Sequence, residues 1–442
     1  MVWGMLKHNR SKELYEWAKR FIPGGVNTSL RLIDPPLVFS RAKGARIWDV
    51  DGNEYLDYHA AFGPPILGHN NPEVNRRVRE VMDEIDLIGV GTTELEAKVA
   101  EKLVRYVPSV ERVLFCNSGS EATHHSIRLA RAHTGRLKVI KFQGCYHGWH
   151  DYLLMNVISP PEKVGKPDPL SAGMLPQAIE NTLVLEFNNL AQVEQAVREH
   201  RGEVAAIILE PIPHNIGCVL PDPEFLKGLR EIADREDIVL VFDEVITGFR
   251  HHIGGYQSIV GVVPDLTTMG KAMANGYPIA AIGGRADLMD RFATAGGDVF
   301  FAGTYNGHPF TVAACLATIE ALESGEVHRH LFTLGDKIRN GLREILADLK
   351  IRGYVTGFGS VFVTYFLDPP VRSYTDLLRN DQEFFVEFRR RMIEQGIFML
   401  PINLKRNHLS AAHTEQDVEL TLEKARAVLE GLVREGRAPR AG

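Results

Sequence analysis

The sequence of 442 residues is 45% apolar and 24% charged, with a formal net charge of −6. These values exclude collagen-like, disordered and disulfide-scaffold chains, and they offer no basic excess for nucleic acid or an anionic membrane. At about 100–200 residues per domain the length predicts two or three domains and a core that needs no cross-links.

Taken in chain order, residues 11–21 have the periodicity of an amphipathic helix, ended by Pro23-Gly24-Gly25. The alternation over 37–59, around Asp51-Gly52-Asn53, predicts a β-hairpin. Helices are expected over 72–85 and 95–106. From 112 short apolar runs alternate with helical stretches: strands 112–116, 138–142, 183–187, 204–210 and 238–244, with helices 120–133, 190–199 and 223–235 between them. Runs that are apolar throughout belong to strands buried on both faces, as in a parallel sheet flanked by helices. Residues 156–182 carry five prolines and no periodicity, which reads as a lid or as a disordered connection. Beyond 311 long helices (311–324, 327–349, 382–396 and 415–435) surround short strands near 351–366. The expected organisation is an N-terminal segment over 1–69, a large α/β domain over 70–310 and a smaller α+β domain over 311–442. No internal repeat is apparent.

The compartment follows from what is scattered or missing. Cys116, Cys145, Cys218 and Cys315 lie far apart with no CxxC pair, which predicts reduced thiols and a cytoplasmic location. Residues 1–21 carry charges throughout, unlike a secretory signal, and no apolar run reaches the roughly 18 residues of a membrane span.

In an open α/β sheet, ligands gather beyond the carboxyl ends of the strands. After strand 112–116 comes Asn117-Ser118-Gly119-Ser120-Glu121, a small polar loop opening a helix. It is either a phosphate cradle or an ordinary N-cap. There is no Walker A loop, and no GxGxxG follows a strand, so an ATPase or a nicotinamide enzyme is not expected. Asp243 closes strand 238–244, where a buried carboxylate needs a metal, a cationic ring nitrogen or an arginine as partner. Lys271 lies among Met269, Gly270, Ala272 and Met273. It is a surface lysine, or an amine made nucleophilic by its apolar setting. Together, a phosphate cradle, an acid for a ring nitrogen and a Schiff-base lysine are what pyridoxal 5′-phosphate (PLP) requires. Tyr146 is placed to cover one ring face and Val245 the other.

The motifs IPGGVN (22–27), GARIWDVDGNEYLDY (44–58), LGHNNPEV (67–74), NSGSEAT (117–123), KVIKFQGCYHG (138–148), ILEPIPHNIGCVLP (208–221), FDEVITGFR (242–250), PDLTTMGKA (264–272), AGTYNGHP (302–309) and SAAHTEQD (410–417) make the chain resemble the class III, fold type I PLP-dependent aminotransferases. Within them the resemblance is greatest to the glutamate-1-semialdehyde aminomutase branch, and it runs from about residue 10 to 435. It implies an α/β fold with a large, mainly parallel-sheet PLP domain and a smaller α+β domain. It implies Lys271 as the Schiff-base lysine and proton carrier, and Asp243 as partner of the pyridine nitrogen. Ser118, Gly119 and Ser120 become the phosphate loop, Tyr146 the stacking aromatic and His147 part of the same turn. Glu210 and Asn215 lie near the ring, and Thr304 reaches the phosphate of a neighbouring subunit in a homodimer whose active sites form at the interface. No metal is expected: His124-His125, His147/His150 and His251-His252 lack ligand spacing and are read as packed or surface residues.

Departures from the aminomutase pattern cluster where its substrate sits. Phe62 replaces a tryptophan, WHDYLLMNVISPPEK follows Tyr146-His147-Gly148 in place of a glycine-serine gating loop, and Lys405 stands at an acidic gate position. Ala274-Asn275-Gly276 interrupts a glycine run, and Asn306-Gly307-His308-Pro309 replaces SGNP. A mutase retains its intermediate whereas an aminotransferase exchanges products, so these departures favour a ping-pong aminotransferase for a β-amino, aromatic or ω-amino donor and a 2-keto acid. The aminomutase is the alternative. Arg31 aligns with an arginine beside the substrate carboxylate, and otherwise forms a surface ion pair. Lys405 and Arg406 are read either as a second carboxylate contact or as a solvated charge pair.

Overall fold

The apolar runs that alternate with helices form one sheet. In the computed structural model, which describes residues 6–440, the strands in chain order are β1 (Phe39–Lys43), β2 (Arg46–Asp49), β3 (Glu54–Asp57), β4 (Arg112–Cys116), β5 (Lys138–Phe142), β6 (Thr182–Leu185), β7 (Val204–Leu209), β8 (Val239–Asp243), β9 (Leu266–Met269), β10 (Ala280–Gly284), β11 (Tyr354–Phe358), β12 (Val361–Tyr365), β13 (Ile397–Phe398) and β14 (Asn407–His408). Seven of them make the order β4-β10-β9-β8-β7-β5-β6, in which β10 alone runs antiparallel to its neighbours. Every residue of β7 and β8 is buried, as central strands covered on both faces must be. Ile127, Leu129 and Ala130 of the helix Gly119–Thr134 join Val139, Ala206 and Ile208 in a core cluster.

Strands β9 and β10 are absent from the expectations above. Leu-Thr-Thr-Met is too short to show a period, and Ala-Ala-Ile-Gly-Gly is dominated by small residues with weak strand preference. Smallness is a requirement here: a Cβ on Gly284 would lie 2.4 Å from the Asp265 carbonyl oxygen.

The chain divides into two compact units. One comprises residues 72–328 and 371–378 and holds the seven-stranded sheet. The other comprises 1–71, 329–370 and 379–442, with a sheet in the order β1-β2-β3-β13 and another in the order β11-β12-β14. The helix Pro309–Leu322 falls in the first unit, beyond the expected boundary at 310. It is buried on nearly all sides and packs on the helices Pro72–Met82 and Glu94–Tyr106. The segment 37–59 is a three-stranded meander, not a two-stranded hairpin. Its second turn is tied by Asp49, which accepts from the Asp51 and Asn53 amides at 3.0 and 2.9 Å. Asp49, Asp51 and His8 lie close enough to resemble a cation site. Their oxygens instead accept from Asn53, Tyr55, Arg10 and Ser11, which fixes the meander to the helix Asn9–Ala18.

The proline-rich segment is pinned. Asn156 is fully buried and its side-chain amide donates to Gln143 Oε1 and the Lys166 carbonyl, while Asp168 N donates back to Asn156 Oδ1. Tyr374 donates to the Ser159 carbonyl at 2.7 Å. All four cysteines are buried outside any disulfide. No helix of the described residues is long and apolar enough to cross a membrane.

Candidate active site

The sheet delivers the expected residues to its carboxyl edge. Beyond β4, Ser118 Oγ accepts from the Glu121 amide at 3.3 Å and starts the helix Gly119–Thr134. The N-cap reading of this loop therefore holds; the cap takes the Glu121 amide, and the amides of Gly119 and Ser120 stand at the positive end of the helix dipole. A Cβ on Gly119 would meet both Val245 methyls at 3.0 Å, so backbone and Val245 touch. Gly148, with φ of +101°, abuts Ser120 so closely that a Cβ would lie 2.7 Å from its Cα. The turn after β5 and the loop after β4 thus share one wall.

Asp243 ends β8 and is 4% exposed. Its Oδ2 accepts from His147 Nδ1 at 2.7 Å, and its Oδ1 accepts from the Val245 amide and the Thr268 hydroxyl, each at 3.1 Å. Burial holds His147 below its usual pKa against the opposing pull of Asp243, so the neutral Nδ1–H tautomer is the donor. Thr268 is a functional neighbour that sequence reasoning missed. The parallel register of β8 with β9 sets Asp243 opposite Thr268. Its only signal was a Thr-Thr pair between Leu266 and Met269, legible once that segment is known to be a strand.

Three residues beyond Thr268, Lys271 is partly buried and has φ of +46°, a left-handed conformation that non-glycine residues seldom adopt and that gathers at functional sites. Ala272, Met273 and Ala274 beside it are buried, which displaces the surface-lysine alternative. Glu210, beyond β7, is 2% exposed; it accepts from the Tyr146 amide at 2.9 Å and the His214 amide at 3.1 Å. Asn215 follows in the same buried loop. Tyr146 is 38% exposed. Thr304 is exposed. The histidines that resembled metal pairs have protein partners: His124 stacks on Tyr152, His150 Nε2 lies 3.1 Å from Thr123 Oγ1, and His251 Nε2 lies 2.8 Å from His214 Nε2.

The candidate substrate residues belong to the other unit. Ala60, Ala61 and Phe62 have φ of 48°, 48° and 69°, followed by Gly63 at 114°. Asp57 accepts from the His59 and Ala60 amides and holds the start of this left-handed turn. Arg406 Nη2 donates to the Phe62 carbonyl at 2.9 Å and Arg406 Nε to His408 Nε2 at 3.2 Å. Lys405 and Arg406 are 2% and 5% exposed, so the solvated charge pair is corrected: this segment is packed inside, its Lys405 carbonyl accepting from the buried Arg389 at 2.5 Å. Arg31 is exposed.

Residues 31–417 match the family model for class-III aminotransferases. The chain belongs to that family. It is 42% identical to the glutamate-1-semialdehyde 2,1-aminomutase of Methanothrix thermoacetophila over 96% of its own length and 97% of the relative's. It is 43% identical to the Methanopyrus kandleri enzyme of the same name, over 96% and 97%. Among solved structures it resembles an omega-transaminase from Sphaerobacter thermophilus, with a TM-score of 0.89 and 35% identity over 95% of this chain and 97% of that one. PLP is the cofactor of this class-III enzyme, and the site fits it. The crowding of Gly119 and Gly148 leaves no side chain in front of the helix amides, a buried carboxylate ends the central strand, and a strained lysine follows the adjacent one.

Proposed function

We propose that the protein is a PLP-dependent glutamate-1-semialdehyde 2,1-aminomutase, moving an amino group between adjacent carbons of one substrate to give 5-aminolevulinate. The observation that carries this reading is the identity of 42% to a curated aminomutase across 96% of the chain. It reverses the order of preference drawn from the substrate-pocket departures.

In this reading bound PLP supplies an electron sink for the bond broken at the substrate's amino-bearing carbon. The residues do the rest. The helix N-terminus at Ser118, Gly119 and Ser120 takes the phosphate through backbone N–H groups. Asp243, oriented by His147, Thr268 and the Val245 amide, would hold a proton on the ring nitrogen of the bound cofactor. Tyr146 and Val245 would hold the ring, with Glu210 and Asn215 as further cofactor contacts. Lys271 Nζ would hold the cofactor at rest and, when its amine is free, would take a proton from one carbon and return it to another. The candidates for substrate contact are Phe62 and Arg31, a guanidinium being suited to a carboxylate. A homodimer completes the site through the partner's copy of the Thr304 segment. That segment is exposed between Phe300 and Tyr305, apolar side chains 69% and 61% exposed that a second copy would cover. The buried, reduced cysteines suit a cytoplasmic setting.

A second reading is favoured by one feature: the basic, buried Lys405-Arg406 segment at the acidic gate position, in a chain also similar to an omega-transaminase. Under it an external donor passes its amino group to a keto acid. Incubating PLP-loaded protein with glutamate 1-semialdehyde and no other amino compound separates the two. Rapid 5-aminolevulinate formation is expected. No product there, with amino transfer from a β- or ω-amino compound to 2-oxoglutarate or pyruvate, replaces the first reading by the second.

A further inference from the structure

Lys141 lies in the middle of β5, between β7 and β6, and its side chain is fully buried. A lysine so placed has to be satisfied from within. Its Nζ donates to the carbonyl oxygens of Cys145 and Leu153, each at 3.0 Å, and to that of Met155. An ammonium has three N–H donors, and here each has a carbonyl. The acceptors come from both ends of the turn that leaves β5, so the ammonium closes that turn like a rivet.

One contact bears on the active site. The peptide group joining Cys145 to Tyr146 is gripped at both poles: its carbonyl accepts from Lys141, and its N–H donates to Glu210 Oε1 at 2.9 Å. A cation holds the negative end of this dipole and a carboxylate the positive end. That fixes the peptide plane, and with it the direction in which Tyr146 leaves the backbone. The next residue, His147, is tied to Asp243, and the amide of Trp149 donates to Ser120 Oγ at 3.3 Å. We infer that Lys141 is a positioning residue for the PLP site, its ammonium setting the turn that presents Tyr146 to the cofactor. This rests on the assignment of the site given above.

Burial lowers the Lys141 pKa to about 8, with Glu210 acting in the opposite direction. The other groups facing it stay neutral near pH 7: burial pushes the Cys145 thiol well up, and holds His147 down and His150 down to about 3. A neutral amine has two N–H groups for three carbonyls, so the grip is complete only below that pKa.

The test is a double-mutant cycle on cofactor affinity, measured by titrating apo-protein with PLP. Lys141→Met is expected to weaken binding about tenfold or more, as for a lost hydrogen bond to a charged group. In a Tyr146→Ala background the same change is expected to cost little further, because Lys141 acts through Tyr146. Wild-type affinity in Lys141→Met, or losses that simply add, overturns the inference. If Lys141→Met does not fold, hydrogen exchange on wild-type apo-protein decides. Amides 145–156, corrected for intrinsic rate, are expected to lose protection between pH 7 and pH 9.5 while those of β7 do not; equal behaviour of the two segments overturns it. The underlying assignment is judged separately, by whether borohydride reduction of wild-type holoenzyme fixes PLP to Lys271.

Discussion

Asp243 shows how closely a single carboxylate is specified: its oxygens are fixed by a neutral imidazole, a hydroxyl and an amide, none of which neutralises its charge. Its charge and its orientation therefore make separable predictions. Asp243→Asn keeps the shape and loses the charge, and kcat is expected to fall about 100-fold or more, as for loss of a preorganised electrostatic group. Thr268→Val keeps the charge and loses one donor. A loss of about tenfold in kcat with PLP still bound is expected, since hydrogen bonds to charged groups contribute about 1.5–3 kcal/mol. Steady-state kinetics beside the cofactor absorbance reads both. The turn Ala60-Ala61-Phe62 offers the opposite sign. A left-handed alanine costs about 1–2 kcal/mol, partly offset by the greater unfolded-state freedom of glycine. Ala61→Gly is thus expected to raise stability by about 0.5–1 kcal/mol. A lower melting temperature would show that the turn is not strained at Ala61.

At the scale of elements, the site depends on loops that nearly touch. Gly148 joins the turn after β5 to the helix after β4, and its φ of +101° together with the nearness of Ser120 excludes a side chain. Gly148→Ala is expected to destabilise the protein by about 2 kcal/mol and to lower the PLP content of the purified protein; thermal unfolding and absorbance measure the two effects. What the sequence made legible follows the strength of the local pattern. The helix Leu190–Glu199 matches its expected bounds because its apolar positions repeat every three to four residues and Asn189 caps it. The wholly apolar β7 and the apolar run Val239–Phe242 of β8 announced a parallel sheet for the same kind of reason. β9 and β10 did not: β9 is only four residues long, and four of the five residues of β10 are alanine or glycine. Lys141 did leave a trace: a charge inside the apolar run Lys-Val-Ile-Lys-Phe has to be buried and partnered. Only three dimensions reveal that its partners lie up to 14 residues further on.

For the molecule as a whole, the histidine distribution predicts how it fails in acid. Burial lowers His59 and His413 to about 4 in one unit and His150 to about 3 in the other. The unfolded chain takes up these protons near pH 6.5 and the folded chain does not. Their contribution to stability is therefore full above pH 6.5 and is lost as the pH falls towards 4, at up to about 4 kcal/mol per pH unit for three such groups. A melting temperature that stays level from pH 7 to pH 4.5 would contradict this. The central claim is that one lysine, set in a left-handed backbone after β9, carries the cofactor. The most direct measurement is peptide mass spectrometry of the PLP-loaded protein after borohydride reduction. The expected result is a phosphopyridoxyl adduct on Lys271, absent in Lys271→Ala. An adduct on another lysine, or none, would contradict it.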